Sequence, residues 1–153
     1  MAYTPTYTTD QYNAFVWFIR NVMGINTSAL QDNSPVIGYS LSIAVDIVNP
    51  SIAAGSANLY SQALNNLAGD NLVNFAQDTP PSTFFTDLRK SLNMATFVPG
   101  VISSSSDEGT SESLLNPDFM RGLTLANLQS LKTPWGRQYL AIAQTYGDVW
   151  GLT

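Results

Sequence analysis

Histidine and cysteine are both missing from this 153-residue chain, and charged side chains make up only 11% of it. Without histidine there is no imidazole general base, no Ser-His-Asp or Cys-His arrangement and no imidazole metal ligand. Without cysteine, zinc fingers, thiol nucleophiles, iron–sulfur clusters and thiol redox switches are excluded, and the redox compartment leaves no trace. Charge falls well below the usual quarter of a soluble domain. What there is leans acidic: six Lys+Arg against eleven Asp+Glu, net −5. The largest basic cluster, Arg89-Lys90, is too small for tight nucleic-acid binding through many phosphates. Long apolar runs are also lacking. The best, Val36 to Val48, is broken by Asp46 and is too short for a bilayer, so no membrane partner is expected. No basic residue precedes Arg20, so a secretory signal is not expected. There is no GxGxxG, no P-loop and no nucleophile elbow.

What remains is 44% apolar, with Ser, Thr, Asn and Gln supplying 50 of the 153 residues. A chain of this length forms a single domain, 1–153, and buries roughly 70% of its unfolded surface, enough for a core without disulfides or a metal. A surface with so few charges is poorly protected against association, which points to neighbours covering part of it.

The pattern predicts a mainly α fold: a helical bundle or hairpin core, a small β-hairpin or extended loop, and extended terminal arms. Residues 1–8 are Thr/Tyr-rich with Pro5 and form the N-terminal arm. Thr9 caps a helix of about Asp10 to Met23, stopped by Gly24. Tyr12, Phe15, Val16, Ile19, Val22 and Met23 make its buried face, and Trp17 sits opposite with Asp10, Asn13 and Arg20. Ser34-Pro35 starts a second helix to Val48 with Ile37, Leu41, Ala44 and Val48 inward, ended by Asn49-Pro50. A third runs from Ser56 either to Leu67 or past Gly69-Asp70 to Ala76. A fourth spans about Ser82 to Leu92, with Phe84, Phe85 and Leu88 inward. Residues 96–115 read as a hairpin or loop: a strand Thr96 to Ser104, a turn at Asp107-Glu108-Gly109 and a return over Thr110 to Leu115. A short helix, Thr124 to Leu131, precedes the last helix, Trp135 to Tyr146, which Thr133-Pro134 begins. Gly147 to Thr153 is a C-terminal tail carrying Val149, Trp150 and Leu152.

The densest acidic cluster is Asp107, Glu108 and Glu112. Paired carboxylates can do acid–base work or hold Mg²⁺ or Ca²⁺. This spacing fits no calcium loop, and the surrounding Ser and Gly indicate a solvated turn. No catalytic residue, metal ligand or cofactor is therefore expected, and the chain does not read as an enzyme. Ser103, Ser104, Ser105, Ser106, Asp107 and Glu108 cannot bury enough apolar surface to hold one conformation and are expected to form a mobile loop. Asp46, in a row with Gly38 and Ser42, suggests a hydrogen-bonding stripe between subunits, since a buried carboxylate needs donors. Trp17, on a polar helix face, and Trp150, in a tail beyond the core, are placed as interface anchors are.

The segment Gly100-Val101-Ile102-Ser103-Ser104-Ser105-Ser106-Asp107-Glu108-Gly109-Thr110-Ser111 leads through Leu123-Thr124-Leu125-Ala126-Asn127-Leu128 to Thr133-Pro134-Trp135-Gly136-Arg137-Gln138-Tyr139-Leu140. This resembles the head–tail adaptor (head-completion, connector) proteins of tailed bacteriophages. Their layout is a helical hairpin core, a Ser/Gly-rich loop and a T-x-YG-x-x-Y-L helix near the C-terminus; here Trp135 stands where tyrosine is usual. The layout covers nearly the whole chain, the motif about residues 100–140. The resemblance implies a structural virion protein of the phage neck, assembled in the bacterial cytoplasm. It implies a homo-oligomeric ring, usually twelve-fold, under the portal protein, which extends the DNA channel and receives the next neck or tail protein. Double-stranded DNA would pass through the lumen without specific binding, and a net acidic wall would repel it. Arg137, inside the motif helix, joins Trp17, Asp46 and Trp150 as a candidate interface residue. A tail-terminator or other tail-completion protein is the alternative within this class, and a metal-dependent hydrolase using Asp107, Glu108 and Glu112 the alternative outside it.

Overall fold

In the computed structural model, residues 4–96 and 130–146 are described in full, and residues 101–104 and 113–115 as backbone. The chain is mainly helical. Helix α1 (Thr9–Asn21) opens with a capping box: Thr8 Oγ1 accepts from the Gln11 N–H, and Gln11 Oε1 accepts from the Thr8 N–H at 2.8 Å. The cap is therefore Thr8 rather than Thr9, because only Thr8 stands three residues before a side chain that can reach back. Gly24, at φ +71°, ends the segment in the left-handed conformation, while Met23 N–H bonds to Phe18 O and Ile25 N–H to Ile19 O. That early stop takes Val22 out of the helical stripe and leaves it exposed; Phe18 joins Phe15 and Ile19 in the core instead.

Helix α2 (Pro35–Ile47) begins at Ser34-Pro35, and Ile37, Leu41, Ala44 and Val48 are all buried as the spacing predicts. A five-residue helix, α3 (Ser51–Gly55), follows Pro50 and buries Ile52; the sequence pattern gives no sign of it. Helix α4 (Ala57–Phe75) starts at the Ser56 cap and continues through Gly69-Asp70, so the longer of the two predicted ends is observed. It is the central strut: α2 and the last helix lie along it, and α1, α3 and the following helix touch it too. Gly69 permits the close α1 crossing, since a Cβ there would sit 3.2 Å from Met23 Sδ and 3.3 Å from Phe18.

Helix α5 (Phe84–Ser91) starts two residues later than Ser82. Asp78, upstream, accepts from the N–H groups of Phe85 and Thr86 at 2.7 and 3.0 Å and so caps it from outside. Arg89 returns across the corner, donating to the carbonyls of Val73 and Ala76 that α4 leaves unpaired. Strands β1 (Val101–Ser104) and β2 (Ser113–Leu115) pair antiparallel with Val101 opposite Leu115 and Ile102 opposite Leu114, the register slipping before Ser104. Helix α6 (Pro134–Thr145) is capped by Thr133, whose hydroxyl accepts from Gly136 N–H at 2.9 Å. Its Tyr139, Ile142 and Ala143 are buried, with Trp135 and Tyr146 half-buried against the core. The short helix expected over Thr124 to Leu131 lies, except for Ser130 and Leu131, outside the described residues.

Candidate functional site

The features that are not explained by the chain's own core lie on α1, α2 and the α4–α6 junction. On α1, Trp17 is 61% exposed. Its helix position is fixed by the capping box at one end and the Gly24 turn at the other. Arg20, one turn on, was expected to share that solvated face; it folds down instead. Its guanidinium pairs with the Asp32 carboxylate and donates to the carbonyls of Ile25 at 2.7 Å and Leu30 at 2.6 Å. The loop after α1 offers three oxygens within reach of one planar fork, and that geometry wins over solvation. Arg20 therefore does not lie over Trp17, and Val22, just past the end of the helix, is also exposed.

Helix α2 is apolar on two sides. Besides the buried row, Tyr39 and Ile47 are exposed and Ile43 is half-buried, all four residues apart. Tyr39 meets the exposed Phe75 of α4 edge-on, ring centroids 5.7 Å apart, which widens the strip across two helices. A surface helix ordinarily keeps its outer face polar, and contiguous apolar surface rimmed by polar residues marks an interaction site. Asp46 is the one charge on α2, exposed beside Ile47. The row that joined it to Gly38 and Ser42 is split: both of these are buried. Gly38 is covered by its own chain, for a Cβ there would lie 2.5 Å from Tyr7 Oη, while Tyr7 stacks on Tyr12 at 5.5 Å. The intersubunit stripe thus shrinks to Asp46, because the arm covers Gly38 and Ser42 is buried in the fold. The buried hydroxyls of Ser40 and Ser42 have no hydrogen-bond partner.

Sequence reasoning missed Asp70. It lies in the middle of α4 and is only 3% exposed. Thr133 Oγ1 donates to its carboxylate at 2.5 Å, Ser130 donates as well, and Lys132 stands nearby. Removal from water pushes its pKa up to about 6, and these three partners pull it back only in part. Thr133 is at once the cap of α6 and the donor to Asp70, so one hydroxyl ties the start of α6 to the middle of α4. The fit leaves no room: a Cβ on Gly136 would fall 1.9 Å from Ser130 O and 2.9 Å from Asp70 Oδ1. The signal was a lone carboxyl on the apolar side of a helix, but its partner is 63 residues away.

Arg137 is exposed and spends one donor on Leu131 O at 2.9 Å. Ser103 and Ser104 lie on β1, within the strand read over Thr96 to Ser104 rather than in the mobile loop also expected for them. Ser105, Ser106, Asp107, Glu108 and Trp150 lie outside the described residues. Among the described residues no three acidic side chains gather to hold a metal ion, and no helix is long and apolar enough to cross a membrane.

Comparison with known protein families, with curated proteins and with solved structures returned no match for this chain.

Proposed function

We propose that the chain is a structural adaptor that assembles side by side into a ring at the neck of a tailed phage, between the portal and the tail. The observation that carries the reading is exposed apolar surface on three helices: Trp17 on α1 with Val22 just past its end, and Tyr39, Ile47 and Phe75 across α2 and α4. Exposed aromatic and aliphatic side chains of this number are a liability in a free monomer and the ordinary makings of a subunit interface. Three further features support it. The chain has few charges to keep copies apart, histidine and cysteine are missing, and the motif at Thr133–Leu140 resembles the adaptor pattern with Trp135 in place of tyrosine. In that motif Thr133 and Gly136 have a physical reason to be what they are, since one caps α6 and holds Asp70 while the other admits Ser130 O.

In this role the ring extends the DNA channel, binds no base sequence and offers its two faces to the portal and to the next neck or tail protein. The C-terminal tail with Trp150 is the proposed docking element for one of them. Deleting the chain from the phage tests the reading against its nearest alternative. An adaptor's loss leaves packaged heads and finished tails unjoined in electron micrographs. A tail terminator's loss leaves tails of uncontrolled length, and that result would replace this reading.

A further inference from the structure

The described residues carry five of the chain's six cationic side chains, and two of these make no hydrogen bond or ion pair with any described residue. Arg20 is paired with Asp32, Arg89 is spent on two carbonyls facing Asp78, and Arg137 holds Leu131 O. Among the described residues Lys90 and Lys132 make no hydrogen bond or ion pair, and Lys132 stands near the buried Asp70. These two lysines, with Arg89, line one groove of about 650 Å³ whose floor includes Met94 and Asn93. Asn93 turns the chain there at φ +53°, after α5 has ended. Positive charge over a partly apolar floor suits an acidic peptide. Two free lysines are too few to hold a run of phosphates on a chain of net −5.

The chain supplies such a peptide. Between Lys90 and Arg121 there is no cation, and Asp107, Glu108 and Glu112 fall within six residues. That stretch, Ser105 to Glu112, joins β1 to β2. We infer that the Lys90–Lys132 groove of one copy receives the acidic segment Asp107–Glu112 of the next copy. A groove of one sign and a segment of the other on every subunit is a head-to-tail contact, the kind that closes a ring when the rotation allows. The inference deepens the ring assembly proposed above and rests on it.

The test mixes isotopically heavy and light wild-type chains, assembled free or on the portal, and treats them with a carbodiimide that joins touching amines and carboxylates. Heavy–light peptides linking Lys90 or Lys132 to the 107–112 segment are expected. Links confined to single chains, or none at these residues, would overturn the inference. A second arm reverses charge: K90E/K132E and D107K/E108K/E112K each weaken self-association about tenfold, and an equimolar mixture of the two recovers it to within about threefold. If both variants associate like wild type, the groove contact is wrong while the ring stands on other surfaces. If wild type never associates, even on the portal, the ring reading itself fails and takes the inference with it. Binding of double-stranded DNA that K90E/K132E abolishes, without heavy–light links, would assign the groove to nucleic acid and overturn the proposal. The cross-link arm uses only wild type and stays decisive should a variant fold poorly.

Discussion

Asp70 is the one carboxylate among the described residues that is almost wholly buried, and its neighbours set a definite pH dependence. Its pKa is raised to about 6 in the folded chain, against 3.8 when exposed. Between those values the folded state binds more protons than the unfolded one, so ionising Asp70 costs stability as pH rises through the window. The shift corresponds to about 3 kcal/mol. Asp70→Asn keeps an acceptor for Thr133 but cannot ionise. Urea unfolding of both chains at pH 4 and pH 7 should show wild type losing about 2.5 kcal/mol relative to Asp70→Asn over that range, the rest being lost below pH 4; equal pH profiles would place the carboxyl in water. Gly136→Ala tests the same junction sterically. A methyl driven against Ser130 O must open the cap, and a loss of about 2–3 kcal/mol is expected in thermal melts, the upper range of overpacking costs. A neutral result would mean that the α6 start is loose. Little of this junction was legible in the sequence. Thr133-Pro134 read correctly as a helix start, but the carboxyl it serves is fixed by tertiary packing, which local patterns do not encode.

Among the elements, the helices read best where one face alone is buried. The inward row of α2 was legible from its spacing, and the exposed position of Trp17 on α1 followed from the same arithmetic. Where the pattern failed, a competing interaction decided. Gly24 read correctly as the stop on α1, but the stripe ran on to Val22 because the helix already ends at Asn21, ahead of the left-handed residue. Asn58, Gln62, Asn65 and Asn66 read as the polar face of α4, but several helices lean on it, so Asn66 and Asp70 go inside with Leu64, Leu67 and Leu72. Two substitutions on α2 separate its faces. Leu41→Ala, at a fully buried position, should cost about 2–5 kcal/mol in denaturant unfolding. Ile47→Ala, half exposed, should change monomer stability by less than about 1 kcal/mol and still weaken assembly. Trp17→Ala should likewise leave the monomer melt nearly unchanged and weaken self-association by about 2 kcal/mol in sedimentation equilibrium, the scale of an interface hot spot. A monomer losing about 3 kcal/mol or more would instead make Trp17 part of the core.

At the scale of the whole molecule, α4 braces the other helices, and the charge-poor surface leaves two apolar strips, on α1 and on α2 with α4, uncovered. The mainly helical class was legible in the sequence, since it depends on periodicity and caps. The candidate site was legible only in part: the exposure of Trp17 was read correctly, Asp46 lost Gly38 to Tyr7 and Ser42 to burial, and the Tyr39–Phe75 strip went unseen because those residues are 36 apart and meet only in the fold. A ring built from such subunits would bury these strips between copies and repeat each weak contact around its circumference, so that avidity raises the strength of the whole. The most direct measurement is an electron cryo-microscopy reconstruction of the particle into which the proposed adaptor would assemble. The account predicts a closed ring of this subunit on the tail axis, next to the portal, with Trp17 seated against an adjacent copy. A single copy, a position off the axis, or a ring in which Trp17 and the Tyr39–Phe75 strip both face solvent would contradict it.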